Sequence, residues 1–291
     1  MWVCLLYFKS IIMPLKTTII TGATSGIGFQ TALALAKKDH AVFLLVRDVE
    51  KGEAVRQQII VETKNQDIQV IYCDLADLKT VKAAAEELKE KLFAVNVLIN
   101  NAGGVFAERK ISKDGYEMTF AVNHLGHFLL TMCLMPLLER GHARVINVSS
   151  EAHKIGKPDF DDLQSAKKYS SFKAYGTAKL FNIYFTKSLA ERYKSKGITA
   201  FALHPGVVKS NFWLGSKGWT KVFEMLVKPF MISAEEGAQT SIYLASAPKL
   251  DSKSGQYFKK RQVAKPNAMT NNKDAREHLW EASERLIERF L

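Results

Sequence analysis

Short apolar runs alternate with longer segments of helical periodicity along the first two-thirds of the chain. The runs are rich in Val, Ile and Leu and predict buried β-strands at 17–20, 41–46, 68–72, 97–99, 144–150 and 198–203. The segments between them predict helices at 29–38, 50–64, 78–92, 114–138 and 172–195. This alternation is typical of an α/β fold, a doubly wound parallel sheet with helices on both faces.

The remaining chain predicts a helix at 234–245, a last strand at 256–258 and an amphipathic helix at 272–290. No Pro-, Gly- or Ser-rich linker interrupts the pattern, so residues 1–291 are expected to form a single domain. Residues 1–15 form an N-terminal extension whose first twelve residues are mostly apolar. They are shorter than the about 20 residues of a membrane span. A peripheral anchor, a segment packed on the domain, and a true start at Met13 all stay open.

A glycine-rich turn joins the first predicted strand to the first helix. Gly22, Gly26 and Gly28 are spaced G-x-x-x-G-x-G across it. Glycines let the backbone approach a pyrophosphate, and a helix N-terminus offers free N–H groups and the positive end of its dipole. The turn therefore predicts a dinucleotide site.

Arg47 ends the second predicted strand, 19 residues after Gly28, and Asp48 follows it. An acidic residue at about this distance binds the ribose 2′-hydroxyl of NAD(H), whereas an Arg suits the 2′-phosphate of NADP(H). Arg47 favours NADP(H), and Asp48 keeps NAD(H) open.

Tyr175 and Lys179 are four residues apart on a predicted helix, which places both side chains on one face. A neighbouring ammonium favours the phenolate and is expected to lower the Tyr175 pKa. Such a pair can pass a proton to or from a carbonyl oxygen. Tyr169 and Lys173 have the same spacing, so the pair alone does not identify a site.

Polar clusters follow most of the predicted strands at their carboxyl ends, where ligands of parallel sheets bind. Together with the turn at 21–28 and the Tyr175–Lys179 pair, these clusters resemble the motifs of the short-chain dehydrogenase/reductase family. Its further motifs are matched by Asp74, Asn100 to Gly103, Asn123, Ser150, and Pro205 with Gly206. Segments 122–128, 147–153, 162–164 and 279–286 are similar to the retinol dehydrogenase branch, whereas Ser210 stands where the family often has Thr.

The resemblance implies a Rossmann-type fold and a hydride-transfer reaction that interconverts an alcohol and an aldehyde or ketone. Tyr175 would donate or accept the proton, and Lys179 would lower its pKa and hold the nicotinamide ribose. Ser150 would bind the substrate oxygen, and Asn123 would interrupt its helix and hold a water. The residues expected to contact the cofactor are Gly22, Thr24, Ser25, Gly26, Ile27, Gly28, Arg47, Asp74, Leu75, Asn101, Ala102, Gly103, Tyr175, Lys179, Pro205, Gly206, Val208 and Ser210.

Residues 207–232 are rich in aromatic side chains and Met. In the family this region covers the substrate, and its composition suits a bulky lipophilic, retinoid-like alcohol or carbonyl compound. The same side chains would also suit a core or a dimer contact, so a homo-oligomer stays open. A non-catalytic NADP(H)-sensing protein on the same fold is the alternative function.

Composition narrows the choice of partners. The net charge of +12 comes from scattered residues and is accompanied by no nucleic-acid recognition motif, so no nucleic-acid partner is expected. Cys4, Cys73 and Cys133 show no metal-ligand spacing, nor do four histidines, His124, His127, His153 and His204, which are expected to be structural. The sparse, odd cysteine count suits the cytoplasm. The basic surface leaves peripheral membrane contact as the minority alternative.

Overall fold

A computed structural model describes residues 15–208 and 231–291. They contain one sheet of eight strands in the order β3-β2-β1-β4-β5-β6-β7-β8. The strands are β1 (Thr17–Thr21), β2 (Ala41–Val46), β3 (Ile68–Tyr72), β4 (Val97–Asn100), β5 (Arg144–Val148), β6 (Thr199–His204), β7 (Tyr257–Lys259) and β8 (Gln262–Val263). Neighbours from β3 to β7 pair in parallel, and β8 pairs antiparallel with β7. The Rossmann-type fold class is confirmed.

The described helices are α1 (Gly26–Ala36), α2 (Val49–Thr63), α3 (Leu78–Lys91), α4 (Met118–Phe120), α5 (Gly126–Cys133), α6 (Met135–Arg140), α7 (Ser171–Arg192), α8 (Ala234–Ser246) and α9 (Lys273–Ile287). None of these helices is both long and apolar enough to cross a membrane.

Apolar side chains cover both faces of the sheet. Ile19 of β1 packs in the core that α3, α5, α6, α7 and α9 cover. Its neighbour Ile20 packs in the core that α1, α2 and α8 cover. Successive residues of a strand point to opposite faces, so a strand buried on both sides must be apolar throughout. This explains why the central strands are continuous apolar runs.

Two segments differ from the sequence prediction. The predicted helix at 114–138 is divided into α4, a π-helical turn at Ala121–Leu125, α5 and α6. The predicted last strand continues through Lys260 and Arg261, both with positive φ, into β8. Periodicity did not reveal the π turn, because residues on every side of this segment are buried and a change of phase leaves no polar face to mark it.

The order in which strands are added to the sheet reverses at β1. The chain builds outward from β1 to β3, then returns to place β4 on the other side of β1. Ligands of doubly wound sheets bind beyond the carboxyl ends of the strands at such a switch point. The turn after β1 and the loop after β4 therefore define the place to look for a site.

Candidate active site

The glycine turn after β1 has the shape of a phosphate cradle. Gly22 and Gly26 adopt positive φ values of 68° and 57°. A Cβ on Gly28 would collide with the Gly22 carbonyl oxygen, so the backbone packs on itself here. A Cβ on Gly26 would meet no atom within 4 Å. The N-terminus of α1 thus faces open space, and an anionic phosphate would fit against its free N–H groups.

The loop after β4 is fastened to this turn by Thr21. Its Oγ1 accepts hydrogen bonds from the backbone N–H groups of Asn101 at 2.9 Å and Ala102 at 3.0 Å. The Asn101 amide donates in return to the Thr21 carbonyl at 2.8 Å. A Cβ on Gly22 would lie 2.9 Å from Ala102, so the two loops are in direct contact. Three residues expected at the cofactor, Asn101, Ala102 and Gly103, therefore lie beside the glycine turn.

Arg47 and Asp48 follow β2 but differ in what they contact. Asp48 caps α2, accepting from the Lys51 N–H at 3.1 Å, and it pairs with the Lys51 ammonium at 2.7 Å. The hydrogen bond from Lys51 is the largest influence that lowers the Asp48 pKa. The Arg47 side chain is exposed. From the sequence, either Arg47 or Asp48 could contact the cofactor ribose. In the structure the Asp48 carboxylate has a local partner, Lys51.

Asp74 and Leu75 follow β3. The Asp74 carboxylate accepts from the Ala76 N–H at 3.0 Å, which shapes the loop. Leu75 packs against Gly126 of α5, where a Cβ would come within 2.9 Å of the Leu75 carbonyl oxygen. Both residues thus lie at the same edge of the sheet as the glycine turn.

Lys179 and Tyr175 face each other on α7. The Lys179 ammonium lies 5.5 Å from the centroid of the Tyr175 ring. It donates to the Val148 carbonyl at the end of β5, at 3.0 Å, and the residue is only 2% exposed. The Ser149 hydroxyl donates to the Lys179 carbonyl at 2.7 Å. α7 is therefore fixed to the carboxyl end of β5, with the Tyr–Lys pair beside it.

Burial, rather than the ammonium, dominates the titration of this pair. Burial raises the Tyr175 pKa, and the hydrogen bond between Tyr175 and the Ser150 side chain opposes it. Burial lowers the pKa of Lys179 to about 7. The expectation from the sequence that Lys179 lowers the Tyr175 pKa is wrong for this structure. Burial disfavours the charged form of Lys179 as well, which weakens the effect that the argument required.

Asn123 lies in the π-helical turn at Ala121–Leu125, which matches the expected interruption of its helix. Its amide nitrogen donates to the Gly104 carbonyl at 3.0 Å and to the Thr119 carbonyl at 2.9 Å. Its Oδ1 accepts from the Gly104 N–H at 3.2 Å. π turns occur frequently at functional sites because the extra residue redirects side chains. Asn123 is thereby clasped to the loop after β4.

Ser150 follows β5 and begins a 3₁₀ turn, Glu151–Ile155. Its hydroxyl accepts from the Ala152 N–H at 3.2 Å. Pro205 and Gly206 follow β6, and Gly206 has a φ of 103°. Val208 lies against Gly237 of α8 together with Ile27. The predicted site residues that the structure describes, Arg47 included, thus lie at or against the carboxyl edge of the sheet.

Ser210 and most of the predicted substrate-covering segment, 207–232, lie outside the described residues. A groove of about 920 Å³ opens elsewhere, at the amino ends of the strands. It is lined by residues such as Lys16, His142, Arg144 and Lys187, and by none of the predicted site residues. Because it lies at the wrong edge of a parallel sheet, we do not assign it to the chemistry.

The second Tyr–Lys pair has a different environment. The Tyr169 hydroxyl donates to the Phe106 carbonyl at 2.7 Å and lies 3.1 Å from the Thr119 hydroxyl. Lys173 is exposed. Tyr169 therefore anchors the loop that contains Phe106, and we assign it no catalytic role despite the spacing it shares with Tyr175.

Several polar residues near Ser150 were not predicted to serve the site. The Glu151 carboxylate accepts from the Tyr257 hydroxyl at 2.9 Å, and the Glu151 N–H donates to His204 at 3.3 Å. His153 contacts the Ser150 carbonyl at 2.6 Å. Glu151 and Tyr257 are 106 residues apart, so no local pattern could have joined them.

Comparisons with known proteins agree with this geometry. Residues 16–219 match the model of the short chain dehydrogenase family. The chain is 45% identical to human retinol dehydrogenase 12, over 94% of this chain and 87% of the relative. It is 41% identical to human retinol dehydrogenase 13, over 94% and 85%. A solved structure of an uncharacterized protein from Mycobacterium paratuberculosis superposes with a TM-score of 0.75 at 30% identity, covering 94% of this chain and 93% of that one.

Proposed function

Because the chain belongs to the short-chain dehydrogenase family, we propose that it interconverts an alcohol and an aldehyde or ketone with NADP(H), using Tyr175 as the proton donor or acceptor. The observation that carries the proposal is the convergence of Tyr175, Lys179 and Ser150 at the carboxyl end of β5. A protein that only binds a nucleotide has no need of a proton donor held in this way.

The residues of this chain fit a nicotinamide dinucleotide. The open N-terminus of α1 would take the pyrophosphate, and Lys179 would reach the nicotinamide ribose. The bound nicotinamide supplies or accepts the hydride. The protein supplies the position of the substrate and the path of the proton.

In the reducing direction Tyr175 acts as an acid. Its raised pKa keeps the phenol protonated at neutral pH, so it can donate to the carbonyl oxygen as hydride reaches the carbonyl carbon. Ser150 donates its hydroxyl hydrogen to the same oxygen and stabilises the charge that develops there. Lys179 would then pass a proton to the Tyr175 phenolate and regain one from solvent through a water held at Asn123. In the oxidising direction each step is reversed.

For the cofactor we favour NADP(H) over NAD(H). Asp48 is engaged as the cap of α2 and as the partner of Lys51, so each of its carboxylate oxygens already has a partner on α2. Arg47 is exposed beside it and can pair with a 2′-phosphate through its planar fork of donors.

For the substrate we propose a bulky lipophilic, retinoid-like alcohol or aldehyde. Two observations support this class. The relatives described above carry retinol dehydrogenase in their names, at 41–45% identity. The sequence of 207–232 is rich in aromatic residues and Met, which suits a large apolar ligand. A hydrophobic pocket separates analogues that differ by one methylene by only about 1–3 kcal/mol, so activity with several such compounds is expected.

The proposed role of Tyr175 is tested by comparing it with Tyr169, which also lies four residues before a lysine. Tyr175→Phe should lower turnover of apolar aldehydes with NADPH by roughly 10²- to 10⁴-fold while the NADPH dissociation constant stays within a few-fold. Tyr169→Phe, the matched control, should keep its turnover. Unchanged turnover in Tyr175→Phe would contradict the proposed role. Tight NADPH binding by the unaltered protein without oxidation across a broad carbonyl panel would instead favour a nucleotide sensor.

We also propose that the protein works in the cytosol. Cys73 and Cys133 are free and buried, as suits a reducing compartment. Fractionation of cells expressing the full chain, and of cells expressing a version that starts at Met13, provides the test. Both versions should be soluble. Salt-resistant sedimentation of the full chain alone would show that residues 1–12 attach it to membrane.

A further inference from the structure

His153 is fully buried between the turn at Ser150 and the segment at Asn267. Its Nδ1 lies 2.6 Å from the Ser150 carbonyl oxygen, and its Nε2 lies 3.0 Å from the backbone nitrogen of Asn267. A carbonyl can only accept and an amide N–H can only donate. The imidazole must therefore carry its hydrogen on Nδ1 and leave Nε2 as an acceptor, so both contacts together require one neutral tautomer.

The surroundings of the imidazole favour that neutral form. Burial is the largest influence on the His153 pKa and lowers it. The Tyr257 ring packs edge-on against it, with centroids 5.0 Å apart. The Glu151 carboxylate nearby is already occupied by the Tyr257 hydroxyl and by the ammonium groups of Lys154 and Lys259, at 2.6 and 3.4 Å.

Ser150 is held on each side of its Cα. Its N-terminal neighbour Ser149 bonds to β6 through its N–H and to α7 through its hydroxyl. Its carbonyl accepts from the His153 imidazole at 2.6 Å and from the His153 backbone N–H at 3.0 Å, and the next N–H, that of Glu151, donates to His204. The direction of the Ser150 hydroxyl depends on this backbone, because the side chain has a single rotatable bond between Cα and the oxygen.

We propose that His153 is a positioning residue that aims the Ser150 hydroxyl at Tyr175 by holding the Ser150 carbonyl. The inference rests on the proposed function, since it assigns a purpose to the placement of Ser150. It also connects the site to the segment around Asn267, which packs against the same turn through its amide and the Lys154 carbonyl at 3.2 Å.

Two substitutions separate the contacts of the imidazole. In His153→Asn the amide nitrogen stands near the place of Nδ1 and can still donate to Ser150, while the contact with Asn267 is lost. In His153→Gln the longer side chain can place its oxygen near Nε2, which keeps Asn267 and loses Ser150. His153→Asn should keep kcat within about fivefold, whereas His153→Gln should lower kcat by on the order of 10²-fold, the effect of about 1 Å of misplacement.

Other readouts distinguish positioning from a general loss of structure. The KM for the carbonyl compound and the NADPH dissociation constant should change by less than about threefold in both variants, because the hydroxyl acts on the reacting oxygen. Both variants should melt at similarly reduced temperatures, since each gives up one buried hydrogen bond. His278→Asn, an exposed position on α9, is the matched control and should behave as the unaltered protein.

A measurement on the unaltered protein tests the contact without turnover. Nitrogen-15 NMR of the histidine side chains, with His153 assigned through the Asn variant, should show the Nδ1–H tautomer at neutral pH. An Nε2–H or doubly protonated ring, or equal losses of kcat in the Asn and Gln variants, would overturn the inference. Absence of any carbonyl turnover in the unaltered protein would count against the proposed function, and the tautomer would still decide whether His153 holds Ser150.

Discussion

Gly103 lies so close to Asn123 that no side chain fits between them. A Cβ on Gly103 would stand 2.6 Å from the Asn123 Oδ1 and 3.1 Å from the Lys179 ammonium nitrogen. The loop after β4, the π turn and α7 therefore meet at one glycine. This contact makes the geometry of the proposed proton path depend on a residue with no functional group.

Gly103→Ala is therefore expected to lower turnover by roughly 10- to 100-fold, because the methyl group must displace Asn123 or Lys179. The neighbouring variant Gly104→Ala is the matched control, since its Cβ would meet only the Phe106 ring at 3.7 Å or more. Steady-state kinetics of both variants provide the measurement. Equal activity in the two would show that the close packing at Gly103 has no bearing on the reaction.

Arg47→Ala tests the choice of cofactor. Loss of a charge-assisted contact costs roughly 1.5–3 kcal/mol, so the NADPH dissociation constant should rise about 10- to 150-fold while that for NADH stays nearly constant. Arg56→Ala removes the same charge from the outer surface of α2, where Arg56 pairs with Glu53, and should change neither constant. An NADPH-to-NADH ratio near one in the unaltered protein would show that Arg47 is a bystander.

His124 makes the stability of the protein depend on pH. It is surrounded by the rings of Phe120, Phe128, Phe181 and Phe185, and burial lowers its pKa to about 3. In the unfolded chain the His124 imidazole binds a proton below about pH 6.5, whereas in the folded chain it binds one only below about pH 3. The contribution of neutral His124 to the free energy of unfolding is therefore fully present above about pH 6.5. It decreases by about 1.4 kcal/mol per pH unit as the pH falls from about 6.5 towards 3.

His124→Phe should remove this contribution. The free energy of unfolding, measured by urea denaturation between pH 4 and 6, should then fall less steeply with acid by about 1.4 kcal/mol per pH unit. His40, His127 and His204 also have lowered pKa values and will keep part of the slope. His278→Phe, at an exposed position, should leave the slope unchanged. An unaltered slope in the His124 variant would mean that this histidine accepts a proton in the folded state.

Much of the site could be predicted from the sequence because its residues follow strands. Periodicity fixed the order of strands and helices, and a parallel sheet brings the ends of its strands to one edge. Gly22, Asn101 and Ser150 could therefore be placed together without knowledge of any contact. The choice between Tyr175 and Tyr169 required more, since their spacing is identical and only family resemblance separated them.

What the sequence could not predict depends on burial and on distant contacts. The direction of the Tyr175 pKa follows from how far the pair is removed from water, which spacing does not reveal. The occupation of Asp48 by Lys51 depends on where α2 begins, and helix boundaries are poorly determined by pattern. The contact of His153 with Asn267 joins residues 114 positions apart, so the sequence could not show that this imidazole is held between Asn267 and Ser150.

The most direct test of the account is the fate of the hydride. NADPH carrying deuterium at the reactive carbon of its nicotinamide ring is incubated with the protein and an apolar aldehyde, with each of the two stereochemical labels in turn. Mass spectrometry should find deuterium on the carbinol carbon of the alcohol with one label and not with the other, in amounts equal to the NADP⁺ formed, and Tyr175→Phe should form alcohol at least 10²-fold more slowly. Alcohol that carries no deuterium with either label, or no alcohol from any aldehyde despite bound NADPH, would contradict the account.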